Sequence, residues 1–172
     1  PTTIDFQVPN AYNFNFATLI RYERCFADRH LAFGVAAEMP VVNGTYGEQY
    51  AAIPQRVPDI PLYFQYAWGA DRSSHIRASA VLRDMYLHDL TRDSNTSLLG
   101  WGVQFSGTIR CCSVLRLFMN GVYGKGITPY IQDLTGSGLD FTPDPRDAAH
   151  IQTMPMWGWQ AAAQFNLTPR LF

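Results

Sequence analysis

The chain has 172 residues, the length of one ordinary domain, with 13 Lys+Arg against 14 Asp+Glu and a formal net charge of -1. That balance argues against a dedicated nucleic-acid binder, and 16% charged with 14% aromatic residues excludes a disordered chain. No run approaches the roughly 18 apolar residues of a membrane-spanning helix, and no basic segment followed by an apolar one opens the chain as a signal peptide would. Two classes remain: a β-rich soluble domain, or a barrel facing lipid.

Apolar and polar residues alternate with period two, the period of strands, whose successive side chains point to opposite faces. In chain order, strands are predicted over 16–26, 30–39, 60–69, 74–88, 97–110, 113–124 and 156–168. The fifth is the clearest. Leu99, Trp101, Val103, Phe105 and Ile109 fall on one side; Gly100, Gly102, Gln104, Ser106, Thr108 and Arg110 fall on the other. Leu62, Phe64 and Tyr66, and later Trp157, Trp159 and Phe165, repeat the pattern. Val81, Phe118 and Val122 break it by placing apolar residues on polar faces.

The connections also alternate. Residues 27–30, 69–73 and 110–113 are short, whereas 40–59 and 125–155 are long and 88–96 is intermediate. In an antiparallel meander, successive connections lie at opposite ends, so short turns collect at one end and longer loops at the other. That asymmetry is characteristic of outer-membrane barrels. The predicted fold is therefore all-β: a partial antiparallel up-and-down transmembrane β-barrel of about seven strands, one segment over residues 1–172 with no second domain. Trp101, Trp157, Trp159, Tyr123 and Tyr86 fall near the long-loop ends and Trp68 near a short-turn end, as two aromatic girdles would. The alternative is a soluble β-sandwich with a carbohydrate-binding or structural role.

These strand motifs carry a resemblance. Residues 1–10 (PTTIDFQVPN), 19–23 (LIRYE), 31–38 (LAFGVAAE), 100–110 (GWGVQFSGTIR), 121–127 (GVYGKGI) and 164–170 (QFNLTPR) together resemble the DcaP-type family of bacterial outer-membrane porins. The resemblance implies residence in the bacterial outer membrane, a lipid bilayer around the protein, a homotrimer, and passage of small polar or anionic solutes such as dicarboxylates. Family members are longer. With Pro1 at the start, an odd strand number and Phe172 read as the start of a further strand, the chain is expected to be part of a larger barrel.

With the apolar face toward lipid, the polar face lines a pore. The candidate pore-lining residues are Arg21, Glu23, Glu38, Arg77, Arg83, Gln104, Arg110 and Arg116. A guanidinium stays charged at any physiological pH and can clasp a carboxylate through two hydrogen bonds. The competing expectation is that these arginines pair with Glu23, Glu38 and Asp84 and satisfy one another. Asp133, Asp140, Asp144 and Asp147 lie in the last long connection and are expected to be a solvated acidic loop, or part of a loop folded inward to narrow the pore. Cys111 and Cys112 are adjacent, too strained for an ordinary disulfide with each other, and no cysteine spacing resembles a zinc set. Neither metal nor cofactor is expected. The four histidines sit near turns without a nucleophile motif, so no catalytic residue is assigned and no enzyme is expected.

Overall fold

The computed structural model describes residues 17–131 and 134–166. The 1–10 motif, the ends of the first and last predicted strands, Asp133, the turn at 168–170 and Phe172 lie outside them. The strands are β1 (Leu19–Phe26), β2 (Leu31–Glu38), β3 (Tyr50–Ala52), β4 (Ile60–Trp68), β5 (Ser74–Asp89), β6 (Ser94–Arg110), β7 (Leu115–Lys125), β8 (Phe141–Asp144), β9 (Asp147–Thr153) and β10 (Pro155–Phe165). All seven predicted strands form. Together they make one antiparallel sheet in the order β1-β2-β4-β5-β6-β7-β10, with β3 added to β5. The sheet is open: β1 and β10 are its two ends.

The register fixes the faces, because directly opposed residues of an antiparallel pair point to the same side. One row runs Val35, Leu62, Ala80, Val103, Tyr123, Trp157 and the next runs Phe33, Phe64, Ala78, Phe105, Gly121, Trp159. These rows form the apolar face. It is open to the surroundings: Trp157 is 71%, Trp159 68% and Leu99 65% exposed. The opposite face carries rows such as Tyr63, Ser79, Gln104, Val122 and Gln65, Arg77, Ser106, Asn120, Gln160. Trp101 and Arg110 are thus on opposite faces.

Both long connections fold onto the polar face. Residues 40–59 supply β3, whose Tyr50 packs with Met85, Leu87 and Phe141. Residues 126–154 supply a turn at Thr128–Tyr130 and the β8–β9 hairpin. Ile127 and Ile131 of this segment pack on Val81, Val122 and Met156. Here lies the reason for two of the pattern breaks: Val81 and Val122 form the floor on which the inward segment rests. Gly102 and Gly124 make room for it, since a Cβ on either would overlap Ile127.

Two expectations need correction. The connection between β5 and β6 is a four-residue turn, Leu90–Asp93, not an intermediate loop. The strands themselves run on to 16 and 17 residues, and Asp89 Oδ1 accepts from the backbone N–H groups of Thr91 and Arg92 to close the turn. The β-sandwich alternative also fails. A sandwich would cover the apolar face with a second sheet, but the second sheet is the two-stranded β8–β9 hairpin, held on the polar side through Phe141.

Candidate functional site

All eight candidate polar residues occupy one face. Arg21 and Glu23 stand opposite Ala36 and Gly34, and Glu38 opposite Leu19. Arg77, Arg83 and Gln104 share that face through the β5–β6 register, and Arg110 and Arg116 through the β6–β7 register. Asp84, expected as a partner for these arginines, stands opposite Leu99 on the apolar face. It is one residue out of phase with them.

Arg83 departs most from expectation. It lines no open space, being only 1% exposed beneath the two long connections. Its Nε donates to Asp59 Oδ2 at 2.9 Å and its Nη1 to Asp140 Oδ1 at 3.0 Å. Nη1 also donates to the Gly126 carbonyl and Nη2 to the Val41 carbonyl, each at 2.5 Å. Asp140 accepts in addition from the backbone N–H groups of Asn43 and Thr128. One guanidinium on the wall therefore ties both connections together, and the ladder of exposed arginines loses a member. Asp140 is fully buried, not a solvated loop acid. Asp144 and Asp147 do remain in loop roles, accepting from the Arg146 backbone and pairing with His150 at 2.7 Å, respectively.

Tyr130 extends this cluster. Its hydroxyl lies 2.9 Å from Glu38 Oε2 and 3.1 Å from Asp59 Oδ2. Burial first, then the charges of Asp59 and Glu38, hold the phenol well above its ordinary pKa. Burial likewise pushes the Asp59 carboxyl up, against the pull of Arg83.

Beside the cluster lies a cavity of about 270 Å³ lined by Arg21, Glu38, Tyr63, Arg77, Gln104 and Tyr130 among others. Arg77 donates from Nε and Nη2 to Gln65 Oε1 at 3.0 and 2.7 Å, and its guanidinium sits 4.2 Å from the Tyr63 ring centre. The Tyr63 hydroxyl donates to Glu23 Oε2 at 2.5 Å, and Glu23 lies 3.8 Å from Arg21. Tyr63 reaches Glu23 by lying across Gly34, where any Cβ would overlap its ring. Gln104 donates to Asn120 Oδ1 at 2.8 Å.

At the short-turn end, Arg110 and Arg116 are directly opposite each other, with Gln164 next in the row. Like charges placed so repel. Among the described residues neither arginine has an ion-pair partner, and Arg116 Nε is buried without a hydrogen bond.

On the apolar face, Tyr123 stands opposite both Val103 and Trp157, and its ring meets Trp101 edge-on at 5.7 Å. Trp159 is one row farther from that end. Tyr86 shares the face above them, under the Arg56 guanidinium at 4.3 Å. Trp68 stacks on Tyr66 at 5.5 Å at the short-turn end. Sequence reasoning missed Asp59 and Tyr130, which sit in the irregular connections, and did not single out Tyr63 and Gln65 among the polar-face positions of β4; the apolar Val81 and Val122 were the one signal that something docks there. His30, His88 and His150 bond the Ala67 carbonyl, Asn95 and Asp147.

No protein-family model matches the chain, and no curated protein matches it. Among solved structures it is similar to the crystal structure of the outer membrane channel DcaP of Acinetobacter baumannii, with a TM-score of 0.75 and 16% identity. The match covers 98% of this chain and 45% of that one. The chain thus spans less than half the length of that channel, and its sheet has the fold of part of that barrel.

Proposed function

We propose that this sheet forms part of the wall of a bacterial outer-membrane β-barrel through which small polar solutes diffuse passively, with anions favoured. The observation that carries the reading is the division of the two faces. A bare apolar face with aromatic residues toward both ends suits a bilayer and is a liability in water. The polar face, with long connections folded against it, suits a narrowed aqueous path. The girdle in this reading is Trp68 at one interface and Tyr86, Trp101, Tyr123, Trp157 and Trp159 at the other. The homotrimer implied by the family resemblance is the expected assembly.

Anion preference rests on the arginines that keep their charge uncompensated. Arg83 is neutralised by carboxylates and drops out of that argument. Arg77 bonds only a neutral amide among the described residues, and Arg110 faces Arg116. Fixed positive charge in a partly dehydrated path raises the local concentration of anions. The test is the reversal potential in a planar bilayer under a salt gradient. The parent should prefer anions, less so at high ionic strength because salt screens beyond about 8–10 Å. Arg110→Ala with Arg116→Ala should shift the potential toward cations. A cation-preferring parent, or no shift, overturns the assignment.

A further inference from the structure

We propose that the cavity on the polar face binds dipolar solutes: molecules with a carboxylate at one end and an ammonium group at the other. This deepens the channel reading above and rests on it. Two groups of opposite charge line the same cavity of about 270 Å³ without an ionic partner of their own among the described residues. At one end is Arg77, with Nε and Nη2 turned to a single amide oxygen and its plane against the Tyr63 ring. Three of its five N–H donors, both on Nη1 and the second on Nη2, are left over for a carboxylate. At the other end is Glu38, whose Oε2 accepts only the Tyr130 hydroxyl.

The surroundings sharpen the polarity. Asp59 stands beside Glu38, joined to it through the Tyr130 hydroxyl, and the cation there, Arg83, is shared between Asp59 and Asp140. That end therefore carries net negative charge. Arg21 lies diagonally across from Glu38, one row along, and is drawn instead toward Glu23 at 3.8 Å. A dianion would place its second carboxylate beside Glu38 and be repelled. A dication would meet Arg77. A molecule with one of each would satisfy both.

Spacing sets the size. The Arg77 guanidinium lies over Tyr63, which stands opposite Gly34. Glu38 is four residues farther along β2, so about 13 Å of strand separates the two levels. A chain of several methylenes between ammonium and carboxylate fits that span once a hydrogen bond is allowed at each end. Val81 and Gly102, one row along from Ser79 and Gln104, lie on the wall between them.

The experiment uses three ligands of matched length: aminocaproate (dipolar), adipate (dianion) and hexamethylenediamine (dication). Binding to the detergent-solubilised protein is measured by isothermal titration calorimetry. Aminocaproate should bind tighter than adipate by about threefold or more, and the diamine weakest. Glu38→Gln, which keeps an acceptor for Tyr130, should abolish the preference for aminocaproate over adipate. Arg77→Gln should weaken both carboxylate ligands together. Adipate binding as tightly as aminocaproate, or an unchanged ratio in Glu38→Gln, overturns the proposal. Because the readout is a ratio within one folded protein, a loss of fold is recognised by loss of all binding, and the parent's ranking of the three ligands then decides alone. Ion conduction in planar bilayers is recorded separately. A conducting protein without the preference defeats only this inference, whereas a non-conducting one defeats the channel reading.

Discussion

Arg83 and Asp140 are 57 residues apart in sequence and joined by a 3.0 Å ion pair in which both side chains are fully buried. The pair connects the wall of the sheet to the segment that folds over it. A buried pair of this kind owes little of its worth to Coulomb attraction alone, since desolvating both ions is costly. Removing Asp140 is another matter: the buried guanidinium keeps only Asp59 as a carboxylate partner, and the N–H groups of Asn43 and Thr128 lose their acceptor.

The first prediction follows from that asymmetry. Asp140→Ala should destabilise the fold by about 3–5 kcal/mol and free the segment around Ile127 and Tyr130 from the wall. Chemical unfolding would register the loss. Single-channel conductance should rise, because the segment no longer narrows the path. A variant with parent stability and parent conductance would show that the pair anchors nothing.

Tyr130 gives the second. Its pKa in the folded protein is raised by burial and by neighbouring carboxylates. The unfolded phenol titrates near its ordinary value of about 10. The contribution to stability is therefore fully present below about pH 10 and is lost as pH rises beyond it, while the folded protein keeps the proton. Ultraviolet titration of tyrosinate should give the same absorbance change for the parent and Tyr130→Phe in the first pH unit above 10. A smaller change in the variant would mean that Tyr130 ionises like an exposed phenol.

Much of this architecture was legible beforehand because a sheet with one apolar face writes its period into the sequence. Leu99 to Arg110 alternate cleanly, and their strand and faces follow. Arg83 shows where that reasoning stops. Period two assigns it to the polar face correctly, but nothing in the alternation says that Asp59 and Asp140 will close over it. Those contacts depend on two irregular connections meeting, which is a tertiary event without a local pattern. The facing of Arg110 and Arg116 was equally hidden, because it depends on the register across a turn. Val81 and Val122 were visible anomalies, and their cause became clear only with Ile127 on top of them.

A third prediction concerns Gly34. Its missing side chain lets the Tyr63 ring cross β2 to reach Glu23. Gly34→Ala should force the ring away and cost about 1–3 kcal/mol, the usual range for overpacking. Adding Tyr63→Ala should recover much of that loss, since the clash then has no partner. Thermal unfolding of the two single variants and the double variant measures the coupling. Simple additivity would show that the ring does not need the glycine.

The last prediction separates the two faces by a single residue. Phe105 and Gln104 are neighbours in β6, and their side chains point to opposite sides. Phe105 is 49% exposed on the apolar face, opposite Ala78 and Gly121. Gln104 lies on the polar face and lines the cavity. If lipid covers the apolar face, Phe105→Arg brings a charge into hydrocarbon, at a cost of about 2–4 kcal/mol near the midplane. Trp157→Arg, at the aromatic row near the long-loop end, should cost only about 0–1 kcal/mol because the charge can reach headgroups and water. Gln104→Arg should leave insertion nearly unaffected, since the polar face stays wet, and should instead alter conductance. Reversible folding into lipid vesicles, followed by intrinsic tryptophan fluorescence against denaturant, provides the stabilities. The expected order of cost is Phe105→Arg, then Trp157→Arg, then Gln104→Arg. Equal costs at Phe105 and Gln104 would mean that the two faces meet the same solvent, and the lipid-facing reading of the apolar rows would fail.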